Sequence, residues 1–261
     1  MTRDIIRTEH IGPVTVIHLQ DDRALNALGS ALVAGLADAL EHAQQDPEVR
    51  AVVITGSDRA FCAGAHIPEV LALREALTAD PDAEVYLDRL FDLLAASPQP
   101  VIAAVRGLAL GGGCELALAC DLVVAGESAS FGLPEVRLGV IPGAGGTQRL
   151  VHAIGKAKAT RMLMTGESVD AAWAESAGLV AEVAADEDVV ARAVDIARRA
   201  ADNAPGAVRL AVGCARRAQD LSLTDGLAHE RRAFLEALAS DDAAEGMSAF
   251  AQKRRPVFGS R

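Results

Sequence analysis

The sequence predicts an α/β core followed by a helical appendage, and three patterns carry that expectation. Short β-branched runs recur through the first half, at residues 14–19, 49–55, 101–105 and 122–125. Segments with helical spacing of apolar residues separate them. Beyond about Val189 the helical pattern continues to the end of the chain. Strands alternating with helices, then helices alone, are the pattern of an α/β unit with an added helical region.

Taken in order, residues 14–19 alternate as a half-buried strand does. A polar turn, Asp21-Asp22-Arg23-Ala24-Leu25-Asn26-Ala27-Leu28, leads into a helix over 30–44. There Leu32, Val33, Leu36 and Leu40 share a face, and Asp46-Pro47 ends it. Residues 59–67 form a loop entering another helix, with Pro68 in its first turn, where a missing N–H is harmless. Residues 69–96 are helical in pattern but broken at Asp80-Pro81, and Pro98 and Pro100 close them. Residues 129–149 are too rich in Gly and Pro for regular structure and are expected to be a functional loop. Helices resume from about Lys156, interrupted by a β-like passage at 179–183. Leu227, Phe234, Leu235 and Leu238 form one apolar stripe, suited to packing on another subunit. Asp242 followed by Glu245 has the spacing of an N-cap for a last helix.

Composition narrows the function. Of 261 residues, 51% are hydrophobic, enough for a large core, while only 3% are aromatic, so Ala, Val and Leu must fill it. A net charge of −11 argues against a general nucleic-acid binder. Cys62, Cys114, Cys120 and Cys214 show no Cys-x-x-Cys spacing and are expected to be free thiols in a reducing compartment. No apolar run approaches the roughly 20 residues of a membrane span, and the N-terminus has no apolar signal core. A cytoplasmic protein is expected. The six histidines lack ligand spacing, so no metal is expected.

The chemistry centres on residues 107–121. Gly111, Gly112 and Gly113 stand where an extended run turns helical, and three glycines in a row imply unusual dihedrals or very close backbone approach. A helix N-terminus presents free N–H groups and can hold an oxyanion. Glu115 follows within an apolar run, and Glu135 follows Gly132-Leu133-Pro134. A desolvated carboxyl is a plausible acid or base near neutral pH. The alternatives are that Glu115 pairs with an arginine such as Arg149, and that Glu135 is an exposed turn residue.

Residues 103–116, with Phe131-Gly132-Leu133-Pro134-Glu135 and the segment 139–149, closely resemble the enoyl-CoA hydratase/isomerase (crotonase) family. Ala24-Leu25-Asn26-Ala27-Leu28, residues 60–65 and residues 245–250 fit it in the same order. The resemblance implies a spiral of ββα units over 1–195 and a helical trimerisation region over 196–261, commonly assembled as a dimer of trimers. It implies an acyl-CoA thioester substrate, with no cofactor beyond the coenzyme A that the substrate carries. It assigns the backbone N–H groups of Ala65 and Gly112 to an oxyanion hole, Glu115 and Glu135 to catalysis, and Gly143 to placing a water. Arg23, Ala24, Ala63, His66, Ile67, Phe250 and Lys253 are implied at the substrate and coenzyme A, the last two from a neighbouring subunit. Two acids favour hydration over isomerisation alone. His66 departs from the family, which usually has Asp there, and a change in helix capping is the expected effect.

Overall fold

The computed structural model describes residues 5–80 and 85–259. Its first element, β1 (Ile6–Ile11), is an antiparallel edge strand paired with β2 (Val14–Leu19) across Gly12-Pro13. The sequence pattern does not announce β1, because an edge strand exposed over Arg7-Thr8-Glu9-His10 needs no apolar alternation. Helix α1 (Ser30–Gln45) follows and buries Leu32, Val33, Leu36 and Leu40 as their spacing requires.

Three strand–strand–helix units come next. The first is β3 (Ala51–Thr55), β4 (Ala60–Cys62) and α2 (Ile67–Ala79), with Pro68 in the first turn of the helix. Asp80 caps α2; the predicted break at Asp80-Pro81 continues into residues outside those described. After α3 (Asp88–Ala95) comes the second unit, β5 (Val101–Val105), β6 (Leu108–Leu110) and α4 (Gly112–Ala119). The third is β7 (Leu122–Gly126), β8 (Ser130–Gly132), a 3-10 turn at Glu135–Leu138, and α5 (Gly146–Ile154). Segment 129–149 is therefore more ordered than its Gly and Pro content predicts. A three-residue strand and a single 3-10 turn are too short to produce a periodic signal.

Then come α6 (Lys156–Thr165), β9 (Ser168–Asp170), α7 (Ala171–Ala177) and β10 (Glu182–Ala184). The β-like passage predicted at 179–183 is thus realised slightly later, and β9 goes unannounced. The first strand of each unit enters one sheet, ordered β1-β2-β3-β5-β7-β10 and parallel from β2 onward. The second strands, with β9 added antiparallel to β8, build a smaller sheet, β4-β6-β8-β9. This is the ββα spiral.

Period-two alternation in the large sheet feeds two cores. Ile17, Leu19, Val52 and Ile54 point into the main core with Phe61, Phe131 and Leu36. Val14, Val16, Ala51 and Val53 point the other way, against Val189, Ala193, Val194 and Ala197 of α8 (Val189–Ala201). Each such branched side chain taken from water contributes about 1.5–3 kcal/mol. The expected boundary at 195/196 lies inside α8, and Val194 and Ala197 on either side of it pack in the same cluster.

Helices α9 (Pro205–Arg217), α10 (Leu223–Leu238) and α11 (Asp241–Ala251) complete the fold. Arg216 on α9 grips Asp121 at 2.7 and 2.8 Å and donates to the Ser97 carbonyl at 2.6 Å. The N-cap of α11 is Ser240, whose hydroxyl accepts from Ala243 N–H at 3.1 Å, and not Asp242 as the spacing suggested. Asp242 is buried and accepts from Gly259 N–H at 3.1 Å, while Glu245 grips Arg254. Residues 252–259 are not helical, contrary to the expectation of helix to the end. They turn back at Lys253, whose φ is +54°, and Arg50 holds the Phe258 carbonyl at 3.0 Å.

Candidate active site

The glycine-rich turn works as its sequence suggests. Gly111 has φ +53°, a left-handed value that glycine adopts without strain, and it redirects the chain from β6 into α4. Gly113 lies so close to β4 that an added Cβ would overlap the Cys62 carbonyl oxygen. The N-terminus of α4 is thereby drawn up to the loop after β4.

That loop carries Ala65. A Cβ built on Gly112 would lie 3.7 Å from the Ala65 nitrogen. Among the described residues no backbone carbonyl accepts from the N–H of Ala65 or of Gly112. Two adjacent free donors at the positive end of a helix make a site for developing negative charge on oxygen.

Two carboxylates border these donors. Glu115, one turn into α4, is only 3% exposed. Its Oε1 accepts from Ala144 N–H at 2.7 Å and from Gly146 N–H at 2.8 Å. The expected alternative, a pair with Arg149, is not what forms. Arg149 instead donates to the Ala144 carbonyl at 2.7 Å and lies over the Phe91 ring, holding the loop whose N–H groups grip Glu115. Gly146 is compact by necessity, since a Cβ there would sit 3.0 Å from Glu115 Oε1.

Glu135 opens the 3-10 turn and reaches back across Gly111, where a Cβ would lie 3.2 Å from its Oε1. It is not the exposed turn glutamate of the alternative reading. Its Oε2 is buried without a hydrogen-bond partner among the described residues. Burial pushes its carboxyl up to about 7, and the neighbouring Glu115 charge acts in the same direction. A half-buried acid pushed toward neutrality, beside a second carboxylate, is an arrangement chemically suited to moving a proton.

The other sequence-identified residues divide into two groups. Gly143 is exposed and immediately precedes Ala144, at the rim of the Glu115 loop. Ala63 donates to the Leu25 carbonyl at 3.0 Å, which ties the Arg23-Ala24 turn to the Ala65 loop. Arg23 is exposed. His66 is the N-cap of α2 without a side-chain cap bond, and its Nδ1 lies 3.3 Å from Glu69 Oε1 without hydrogen-bond geometry. Ile67 follows, exposed. Phe250, 88% exposed, and Lys253 lie apart on α11 and its tail.

Sequence reasoning overlooked Asn26. Fully buried, with φ +55°, it accepts from Asp21 N–H at 2.8 Å and donates to the Ala60 and Phe61 carbonyls at 3.0 and 3.2 Å. An unpartnered amide would be costly there, so all three bonds fix the turn on β4. Among the described residues no group of three His, Cys, Asp or Glu could hold a metal, and no helix is long and apolar enough to cross a membrane.

Comparison with known proteins agrees with this architecture. A family model described as enoyl-CoA hydratase/isomerase matches residues 9–261. A probable enoyl-CoA hydratase of Mycobacterium bovis is 44% identical over 263 residues, covering 100% of both chains. The 2,3-dehydroadipyl-CoA hydratase of Escherichia coli is 44% identical over 248 residues, 95% of this chain and 96% of its own. The crystal structure of a Bacillus anthracis enoyl-CoA hydratase superposes with a TM-score of 0.91 at 37% identity, covering 99% of this chain and 100% of that one.

Proposed function

The chain belongs to the enoyl-CoA hydratase/isomerase family, and from that premise we propose that it is an enoyl-CoA hydratase. The reaction is reversible syn addition of water to a trans-2-enoyl-CoA, giving a 3-hydroxyacyl-CoA. One observation carries this reading: Glu135 reaches back to Gly111, at the N-terminus of the helix that carries Glu115, where Gly112 lies against the Ala65 nitrogen.

In the proposed reaction the thioester oxygen accepts from Ala65 and Gly112. Water, held between the carboxyls and near the Gly143 backbone, attacks the β-carbon through its oxygen. Its proton passes to the Glu115 carboxylate. The double-bond electrons move onto the thioester oxygen as an enolate, the charge that the two N–H groups are placed to meet. The enolate then takes the Glu135 proton at the α-carbon. Glu115 has gained one proton and Glu135 has lost one, and transfer through solvent resets the pair. In this reading the protein uses no metal and no cofactor; coenzyme A arrives with the substrate.

Arg23, Ala24, Ala63, His66 and Ile67 are proposed to line the coenzyme A and acyl sites. Phe250 and Lys253 would reach the nucleotide end of a ligand in a neighbouring subunit. That requires a homotrimer, or a hexamer of two trimers, and the exposed Leu227, Phe234, Leu235 and Leu238 on α10 supply an apolar face for it. Phe234→Glu is expected to shift the particle to monomer mass, read by light scattering on a sizing column. The four free thiols fit the cytoplasmic setting of this proposal.

The test is to follow the conjugated-enone absorbance of crotonyl-CoA. Rapid loss of absorbance with formation of the 3-hydroxy product is expected. No loss, with a 3-enoyl-CoA instead converted to the conjugated isomer, would replace hydration with isomerisation. A further expectation concerns pH. Because Glu135 must hold its proton in the free enzyme, kcat/KM should decline above about pH 7, following the raised carboxyl. Initial rates across the neutral range check this, and a profile flat to pH 9 would remove Glu135 as the proton donor.

A further inference from the structure

The Ala65 N–H can serve an oxyanion only if its peptide plane is fixed. Leu28 holds it on both sides of the Ala65 Cα: Leu28 N–H donates to the Gly64 carbonyl of that same plane at 2.7 Å, and His66 N–H, on the next peptide, donates to the Leu28 carbonyl at 3.1 Å. Leu28 is thus a single-residue parallel bridge to Ala65. Its side chain is fully buried against the second donor, since a Cβ on Gly112 would meet Leu28 Cδ1 at 3.0 Å. One residue therefore touches both halves of the oxyanion hole.

The Leu28 carbonyl accepts a second bond, from the Tyr86 hydroxyl at 2.9 Å. Tyr86 is the only tyrosine in the chain and lies between α2 and α3. A carbonyl oxygen has two lone pairs, and filling both fixes its direction more firmly than one bond does. Burial, with the Glu69 charge nearby, raises the phenol above its ordinary value, so the group remains a donor at working pH. None of the proton transfers or coenzyme A contacts proposed above uses this hydroxyl.

We propose that Tyr86 is a positioning residue for the oxyanion hole, acting through the Leu28 carbonyl on the Ala65 peptide. The proposal rests on the oxyanion reading of Ala65 and Gly112. It makes Tyr86, just before α3, part of the machinery that aims a backbone donor.

Tyr86→Phe removes the hydroxyl and keeps the ring, so packing at the start of α3 is retained. The probe is a push–pull cinnamoyl-CoA, whose absorption moves to the red as hydrogen-bond donors polarise its carbonyl. Bound to the wild type it should show that shift. Bound to Tyr86→Phe it should show a clearly smaller one, with Tm within about 2 °C of the wild type. For crotonyl-CoA, kcat should fall about three- to tenfold at unchanged KM, the size of one hydrogen bond expressed only in the transition state.

The controls separate the two claims. No red shift in the wild type defeats the oxyanion reading itself. A full shift and full kcat in Tyr86→Phe overturns the role of Tyr86 and leaves that reading standing. A lowered Tm with a full shift assigns the hydroxyl to stability alone and overturns the proposal equally.

Discussion

Glu135→Gln should lower kcat for crotonyl-CoA hydration by about a thousandfold, the usual range for losing a positioned general acid. Gln matches the shape and keeps an acceptor near Gly111, but it has no proton to deliver to carbon. Glu115→Gln should cost a similar factor, because the neutral amide cannot take the proton from water. Stopped assays with high enzyme concentration would measure both residual rates. Hydration at the wild-type rate in either variant would sink the two-acid assignment.

The same substitution should move stability in the opposite direction. The Glu135 carboxyl is raised to about 7 in the folded chain. Between its unfolded value and 7 the folded state binds the extra proton, so its contribution to stability is full at low pH and is lost as pH rises through 7. Above that, the native state carries a half-buried charge that Gln does not. Glu135→Gln should therefore melt higher than the wild type at pH 8.5, with the difference fading toward pH 4. A rise in Tm beside a collapse in rate is the signature of a group retained for chemistry and not for folding.

The second large effect is structural. Gly113→Ala places a methyl group on the Cys62 carbonyl oxygen, with the Cys62 carbonyl carbon 2.7 Å away. Both obstacles are backbone, so no rotamer change relieves them. Helix α4 would have to lift from β4, opening the buried contacts of Cys114, Leu116 and Ala117. Such overpacking should cost more than about 4 kcal/mol, or roughly 10 °C in Tm for a chain of this size. Thermal melts followed by circular dichroism check this, and a variant within 2 °C of the wild type would refute the tight α4–β4 contact.

How much of this was legible in the sequence follows from which forces write a periodic signal. Buried parallel strands announce themselves because Val and Ile must fill both faces, as in β3 and β5. Three-residue strands such as β4, β6 and β8 leave no period to detect, and β1 hides behind its exposed polar face. Glu115 and Glu135 stood out because a carboxylate in an apolar or glycine-rich run is anomalous. Their shared neighbourhood at Gly111 and Gly112 could not be read directly, since the spiral brings together residues 20 to 70 positions apart. Arg149 braces the Glu115 loop instead of pairing with Glu115, a difference the sequence hides because the Ala144 and Gly146 backbone groups leave no side-chain signature. Leu28 and Tyr86 are hidden for the same reason: their contribution runs through one main-chain oxygen.

The spiral also determines what an incomplete copy of this chain can do. Ala65 belongs to its first strand–strand–helix unit, Gly112 and Glu115 to its second, Glu135 to its third, and the Ala144 and Gly146 groups that grip Glu115 come later still. A nascent or prematurely terminated polypeptide would hold Ala65 first, then Gly112 and Glu115 together, and would lack the bonds that grip Glu115 until synthesis passed Gly146. Loop closure across these separations is slow relative to local helix formation. If these groups act as proposed, a chain that ends before Gly146 should show no hydration of crotonyl-CoA.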